Sequence, residues 1–350
     1  MNKLDFLTII FFPAILVIAC SLLIKFSIKK LDNSKLIDNP TKRSNHHKPT
    51  LKGAGLIVIP MVIFSTTLVF FLNHIITAQW VIFFSITLIL MIVSFLDDIY
   101  NIPSIIRLVI HTVCVVTSIY FLTLDHEFSH TLSNKFFFLG IHDEVFKLIF
   151  IILATLMWIW IINLFNFMDG MDGITAIQIC FFMFGLNILT LFEVEIYELQ
   201  IISLYSFSIF LGFFLYNKPP AKIFLGDSGS IPIGYLVGLI LIKSALNFDI
   251  FIPLLILCMY YLLDSTLTLI LRMAKNENVF QAHTSHFYQK MLRAGFSHTF
   301  VLKKIIYIHF ILLICSIFSV KFPIISLVLS VCATALTLFY FSNKNITNEQ

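Results

Sequence analysis

Long apolar runs alternate with short polar segments along the whole chain. Eleven of these runs approach the roughly 20 residues that an α-helix needs to cross a bilayer. None of them shows the alternation, about ten residues long, of a membrane barrel strand. The pattern therefore predicts helices, with spans at 6–25, 54–73, 79–96, 103–123, 145–165, 173–192, 199–216, 229–246, 249–271, 301–319 and 323–342.

Composition places these helices in a membrane. Of the 350 residues, 59% are hydrophobic and 12% are charged, and the mean hydropathy is +0.96. Soluble domains carry about 25% charged residues. Because the apolar excess covers the whole length, we expect one all-α polytopic membrane domain, 1–350, with about eleven transmembrane helices.

Lys and Arg predict the orientation, since cytoplasmic loops of membrane proteins are enriched in them. If loop 26–53 is cytoplasmic, all but five of the 23 basic residues lie in or beside cytoplasmic segments. We therefore expect the N-terminus outside, the C-terminus in the cytoplasm and membrane lipids as neighbours. The net charge of +4 is explained by these loops, and we expect no nucleic acid as partner. The first run is not expected to be a cleaved signal, because its positive charges follow it.

Polar residues collect in five loops on the predicted cytoplasmic side, at 26–53, 94–103, 163–173, 217–230 and 272–300. The third of them, "NLFNFMDGMDG", follows an almost purely apolar run. Asn, Asp and Gly are ordinary turn residues, so a capped helix–turn–helix would explain one or two of them. Six at this spacing exceed what a turn needs and favour a functional site.

The acids in these loops have both structural and functional readings. Asp97 and Asp98 end the third run, and the alternative for them is a simple stop signal. Neighbouring residues on a helix point about 100° apart, so we expect these two acids to have different roles. Asn163 and Asn166 share a helix face, and Asp169 and Asp172 continue their spacing. Asp227 precedes the eighth run, where an N-cap is the alternative and a helix start could equally bind phosphate.

Oxygen donors of this kind favour Mg²⁺ or Mn²⁺ over softer metals. Because Mg²⁺ takes only one or two protein carboxylates and completes its shell with phosphate and water, five acids do not predict five ligands. Acids for a metal and basic loops for phosphates, both at a membrane surface, indicate chemistry on a phosphorylated substrate that meets a lipid.

Histidines and cysteines divide into candidate contacts and packing residues. His46 lies in a basic loop that could equally face lipid headgroups, and His283 and His286 are three apart, which favours phosphate or sugar contacts over a metal. Asp264 lies inside the ninth run, and an intramembrane acid is a functional candidate by default. His111 and His309 are expected to be hydrogen-bonded within the bundle. The six cysteines all fall in predicted spans and are expected to pack without disulfides.

Five motifs together resemble the bacterial polyprenyl-phosphate N-acetylhexosamine-1-phosphate transferases. They occur in the family's order and at comparable spacing over nearly the whole chain. The motifs are "RSNHHKPTLKGAG" (43–55), "FLDDIYNIPSIIRL" (95–108), "NLFNFMDGMDG" (163–173), "NKPPAKIFLGDSGS" (217–230) and "HTSHFYQ" (283–289).

The resemblance implies a Mg²⁺-dependent enzyme of the bacterial inner membrane with its active site facing the cytoplasm. It would transfer a sugar-1-phosphate from a UDP-N-acetylhexosamine to undecaprenyl phosphate, release UMP, and initiate O-antigen, lipopolysaccharide or related cell-envelope glycan synthesis. The candidate catalytic residues are Asp97, Asp98, Asp169 and Asp172. The candidate metal ligands are Asp227, Asn166 and Asp172, with Asp227 as first choice. The candidate substrate contacts are Asn163, Arg43, His46, Lys52, Arg107, Lys222, Asp264, His283 and His286.

Departures from the common family pattern bear on the sugar. Tyr288 and Gln289 stand where many members have histidines, which resembles the branch that uses 6-deoxy sugars such as N-acetylfucosamine or N-acetylquinovosamine; UDP-N-acetylglucosamine is the alternative. Ser94 and His111 also replace a common glycine and glutamine. An ion-coupled transporter is the remote alternative, and it is disfavoured because transport sites lie near the membrane midplane whereas all the motif acids except Asp264 lie at helix ends.

Overall fold

The computed structural model describes residues 7–30, 36–38, 40, 49–124, 143–191, 197–245, 248–278 and 283–343. These residues form thirteen α-helices, a π-helical turn at Leu7–Phe11 and three very short strands. The first half holds α1 (Phe12–Lys30), β1 (Ile37–Asp38), β2 (Thr50–Lys52), α2 (Gly55–Leu72), α3 (Ala78–Tyr100), α4 (Ser104–Thr123), α5 (Asp143–Met168) and α6 (Ile174–Thr190). The second half holds α7 (Tyr197–Asn217), β3 (Ile223–Phe224), α8 (Asp227–Ser244), α9 (Phe248–Leu257), α10 (Met259–Ala274), α11 (Phe287–Arg293), α12 (His298–Ser319) and α13 (Pro323–Asn343).

All eleven predicted runs are helical, which confirms an all-α membrane protein. Among the described residues, eight helices are long and apolar enough to cross a membrane, and a ninth span results if α9 and α10 are counted together. Those two helices meet at a 61° bend. The runs at 173–192 and 229–246 form helices that are not long and apolar enough to be counted as spans. Helix α6 has only 17 residues, and α8 starts with the polar sequence Asp-Ser-Gly-Ser. The structure thus supports eight or nine spans, where the apolar pattern predicts about eleven.

Helix α8 lies at the centre of the bundle and is buried along almost its whole length. It packs against α2, α3 and α5. Small residues allow this close approach, as is common between membrane helices: a Cβ atom at Gly238 would overlap the Trp158 ring. The indole nitrogen of Trp158 donates a hydrogen bond of 2.9 Å to the carbonyl of Tyr235. This packing fixes the start of α8, where Asp227 lies.

A three-stranded sheet joins two distant loops. Strand β2 pairs antiparallel with β1 and parallel with β3, with Leu51 opposite Ile223. The backbone N–H groups of Gly53 and Ala54 continue the contact by donating to the carbonyl of Phe224, at 3.2 and 3.0 Å. The loop before α2 and the loop before α8 are therefore held together.

The predicted packing residues differ in their surroundings. All six cysteines are free, and four are buried, whereas Cys315 is partly buried and Cys332 is exposed. Nε2 of His309 lies 2.9 Å from Oε1 of Gln178 on α6, which confirms a contact between helices. The buried Nδ1 of His111 has no hydrogen-bond partner among the described residues, so the expected bond is not seen at that atom.

Candidate active site

A cavity of about 350 Å³ opens where the ends of several helices meet. It collects residues from all five polar loops, and the last of these loops includes the start of α12. Its lining residues are Asp38, Lys52, Asp98, Asp169, Gly170, Met171, Asp172, Asn217, Phe224, Leu225, Gly226, Asp227, His283, Thr284, Gln289 and His298.

The two adjacent acids of α3 point in different directions, as their helical spacing predicts. Asp98 lines the cavity and its Oδ1 accepts a hydrogen bond of 3.0 Å from Lys52 Nζ. Asp97 is buried, is not among the lining residues, and pairs with the guanidinium of Arg107 on α4. Asp98 therefore faces the cavity, whereas Asp97 faces Arg107, whose positive charge balances it.

Arg107 connects Asp97 to the start of α8. Its Nη1 atom also lies 3.7 Å from Oδ2 of Asp227, the first residue of that helix. One turn further along, Ser230 Oγ accepts a hydrogen bond of 3.2 Å from Nδ2 of Asn166 on α5. Side chains from α3, α4, α5 and α8 therefore converge on the Asp227 region.

Burial and mutual repulsion disfavour the ionised form of the cavity carboxyl groups. The pKa of Asp169 is raised to about 8, first because burial disfavours the carboxylate and then because Asp227 and Asp98 are close. The pKa of Asp227 is raised to about 6 for the same reasons, although its hydrogen bond from Asn166 and the charge of Arg107 lower it. A carboxylate group in such surroundings is stabilised by an added cation.

The donor set fits a hard divalent cation. Asp98, Asp169 and Asp227 supply carboxylate oxygens to one cavity, and oxygen is the donor that Mg²⁺ prefers. Among the described residues, no three His, Cys, Asp or Glu side chains are arranged to enclose a metal ion. The cavity therefore fits an ion held by one or two of these carboxylates, with substrate phosphate and water completing its shell.

Residues 80–245 of the chain match the family model described as "Glycosyl transferase family 4". The chain is similar to this family over that region, which is just under half of its length. The matched region holds the acids of α3, the turn after α5 and the start of α8. Lys52, Asp264 and the histidines near α11 lie outside it.

Three relatives illustrate the family. The chain is 29% identical over 242 residues (65% of this chain, 63% of the relative) to a "Probable undecaprenyl-phosphate N-acetylglucosaminyl 1-phosphate transferase" of Bacillus subtilis (strain 168). It is 32% identical over 163 residues (40% and 44%) to a "Phospho-N-acetylmuramoyl-pentapeptide-transferase" of Nautilia profundicola. It is 31% identical over 173 residues (42% of each) to a "Decaprenyl-phosphate N-acetylglucosaminephosphotransferase" of Mycobacterium leprae. In all three cases less than two thirds of the relative is covered.

Asp264 and His286 lie outside the cavity lining and contact each other. Asp264 is fully buried, and its Oδ1 accepts from Phe287 N at 3.1 Å and lies 3.1 Å from Nδ1 of His286. The adjacent Tyr288 N–H donates to its other oxygen at 3.4 Å. Asp264 therefore fixes the start of α11, while His283, whose ring centroid lies 4.9 Å from that of His286, reaches the cavity.

Burial first, and then the charges of His286 and Arg272, lower the pKa of the His283 imidazole to about 4. This pKa favours the neutral imidazole near pH 7. Its Nδ1 lies 3.1 Å from Oγ of Ser285. His283 is therefore suited to hydrogen bonding with a substrate and not to balancing phosphate charge.

Some candidate residues are not brought to the cavity. Asn163 donates to the carbonyl of Ile159 in its own helix at 2.8 Å. Lys222 is exposed, and its Nζ lies 6.0 Å from the centroid of the Tyr216 ring. Arg43 and His46 lie outside the described residues.

Sequence reasoning did not name Asn217 or His298 among the site residues, and it used Gln289 only as an indication of the sugar. Asn217 and Gln289 stand inside recognised motifs, so attention to every polar position of those motifs could have found them. His298 starts α12 and lies outside all five motifs. Its Nδ1 lies 3.3 Å from Oδ1 of Asp172, a contact that only the fold reveals.

Proposed function

We propose that the chain is a polyprenyl-phosphate sugar-1-phosphate transferase. It transfers N-acetylhexosamine-1-phosphate from a UDP-sugar to undecaprenyl phosphate and releases UMP. The observation that carries this proposal is the convergence of Asp98, Asp169 and Asp227 with Lys52 on one cavity at the end of a membrane bundle. The family match and the names of the relatives support it.

The side chains divide the work at the pyrophosphate. Asp98 and Asp227 would hold a Mg²⁺ ion, which would neutralise the charge that develops on the phosphate oxygens. Lys52 and Arg107, already placed beside these carboxylates, orient the phosphates and share that neutralisation. Asn166 holds the start of α8 against α5 through its hydrogen bond to Ser230.

Asp97 acts by positioning and not as a base. Its carboxylate is buried against Arg107 and is absent from the cavity lining. A phosphate monoester has its second pKa near 6, so the lipid phosphate is largely dianionic at neutral pH and needs no proton removed. A direct attack of the lipid phosphate on the UDP-sugar then suffices.

The sugar is proposed to be a 6-deoxy-N-acetylhexosamine. This rests on Tyr288 and Gln289 in "HTSHFYQ", of which Gln289 lines the cavity. UDP-N-acetylglucosamine is the second candidate, favoured by the name of the Bacillus subtilis relative. The same proposal places the cavity on the cytoplasmic side of a bacterial inner membrane and makes the product a precursor of O-antigen or a related envelope glycan.

A radiolabelled sugar panel tests this function. Purified protein in mixed micelles with undecaprenyl phosphate and Mg²⁺ is given UDP-N-acetylglucosamine, UDP-N-acetylfucosamine or UDP-N-acetylquinovosamine, and label is counted in the organic phase. We expect labelled lipid with a 6-deoxy donor. Labelled lipid only with UDP-N-acetylglucosamine would keep the enzyme class and overturn the sugar; no labelled lipid with any donor would contradict the function.

A further inference from the structure

Asp172 is buried, with 7% of its surface exposed, and its two oxygens face two other segments of the chain. Oδ2 accepts a hydrogen bond of 3.0 Å from the backbone N–H of Ala221. Oδ1 lies 3.3 Å from Nδ1 of His298. One carboxylate therefore joins the turn after α5, the segment before β3 and the start of α12. Asp172, Ala221 and His298 are together called the three-loop junction.

Asn217 makes a second link between two of the same segments. Its Oδ1 accepts from the backbone N–H of Gly173 at 3.0 Å, and its Nδ2 donates to the carbonyl of Ile223 at 2.9 Å. Gly173 has φ of +79°, and a Cβ atom there would lie 2.9 Å from the Leu302 side chain on α12. The turn after α5 thus packs closely against Asn217 at the end of α7 and against Leu302 on α12.

Each segment of the three-loop junction supplies cavity lining. Gly170 and Met171 come from the turn after α5, Phe224 and Leu225 follow Ala221, and His298 itself lines the cavity. The relative position of these surfaces depends on the junction. Ala221 and His298 each face one oxygen of Asp172, which leaves fewer of its lone-pair positions for a metal.

We propose that Asp172 and His298 form a positioning pair that sets the shape of the substrate cavity, and that Asp172 is not a metal ligand. This inference rests on the proposed function and assigns a role to His298, which lies outside the recognised motifs. The pair acts through the placement of the segments before β3 and at the start of α12. Its loss weakens binding of the UDP-sugar while leaving the metal requirement in place.

Kinetics of matched variants test the pair. In His298→Phe the contact is lost, whereas in His298→Asn the side-chain nitrogen of Asn can occupy the position of Nδ1. We expect His298→Phe to raise KM for the UDP-sugar on the order of tenfold with kcat within about threefold, which is the pattern of lost ground-state binding. His298→Asn should restore most of the affinity. The Mg²⁺ concentration giving half-maximal rate should stay unchanged in both.

A double-mutant cycle completes the test. Because the two side chains are in contact, Asp172→Ala and His298→Phe should be non-additive, with the double variant little worse than Asp172→Ala alone. A shifted Mg²⁺ dependence confined to Asp172→Ala, or fully additive losses, would overturn the inference. Calorimetric titration with UMP reads binding without turnover, and we expect the same loss of affinity in His298→Phe.

The outcomes separate this inference from the function on which it rests. If the wild-type protein releases no UMP, the proposed function fails. If the wild type is active and His298→Phe, folded by circular dichroism, has unchanged KM and UMP affinity, only the positioning pair is overturned.

Discussion

Lys52 Nζ lies 3.0 Å from Asp98 Oδ1, although 46 residues separate them in the chain. Lys52 ends strand β2, whose pairing with β3 also brings the loop before Asp227 alongside. The contact therefore places the Lys52 ammonium group near Asp98 and Asp227, two of the carboxylates that line the cavity. It also partly compensates the negative charge of Asp98.

Lys52→Met removes this cation while keeping the apolar length of the side chain. We expect kcat/KM to fall by about 10- to 100-fold, because a charge-assisted hydrogen bond contributes roughly 1.5–3 kcal/mol. Lys275→Met is the matched control: this lysine is exposed and is absent from the cavity lining, and its loss should change kcat/KM less than about twofold. Equal effects of the two substitutions on UMP release would contradict the role of Lys52.

Asp97→Asn keeps the shape of the side chain beside Arg107 and removes its charge. If Asp97 only positions Arg107, the variant should keep most of its turnover, with a loss below about tenfold. The pH–rate profile of UMP release provides the decisive reading. A loss of several orders of magnitude that is rescued by raising the pH would show that Asp97 removes a proton.

Gly170→Ala tests the packing of the turn after α5 against α11. A Cβ atom at Gly170 would overlap the hydroxyl of Tyr288, and overpacking of this kind costs about 1–3 kcal/mol. We expect a lower melting temperature in detergent and reduced activity. In a Tyr288→Phe background the overlapping hydroxyl is gone, so the added methyl should then be tolerated; an equally large drop in that background would refute the contact.

Asp264→Ala separates a positioning role from substrate contact. The substitution leaves the N–H groups of Phe287 and Tyr288 without their acceptor, and each buried unsatisfied group costs about 1–3 kcal/mol. We expect a clear loss of thermal stability. Glu277→Gln, which weakens an exposed partner of Arg272, should cost less than about 0.5 kcal/mol. A melting temperature equal to wild type combined with lost activity would instead return Asp264 to the substrate contacts.

The apolar pattern was sufficient to locate the helices, because a membrane span must satisfy its own backbone hydrogen bonds and therefore has a minimum length. It could not reveal the bend between Leu257 and Met259, which lies inside one continuous apolar run. Nor could it reveal the strands: β1 and β3 have two residues each and β2 has three, too few for any periodicity. The orientation across the membrane stays a prediction.

The site was predictable where chemistry is concentrated in a few neighbouring residues. The different surroundings of Asp97 and Asp98 follow from helix geometry alone, and the acids at 169 and 227 stand out against apolar sequence. The link from Asp172 to His298 was not predictable, because 126 residues separate them and only the packing of α12 brings them together. Asp264 stands out in the sequence as an acid inside an apolar run, but its contacts with the start of α11 depend on the fold.

The most direct test of the central claim is UMP release from purified protein with undecaprenyl phosphate and UDP-N-acetylhexosamines, with and without Mg²⁺, beside the variant Asp227→Asn. We expect UMP from the wild type, none after chelation of Mg²⁺, restoration when Mg²⁺ is returned, and a loss of at least about 100-fold in the variant. Absence of UMP from folded wild-type protein with every donor, or full activity of Asp227→Asn, would contradict a metal-dependent transferase centred on Asp227.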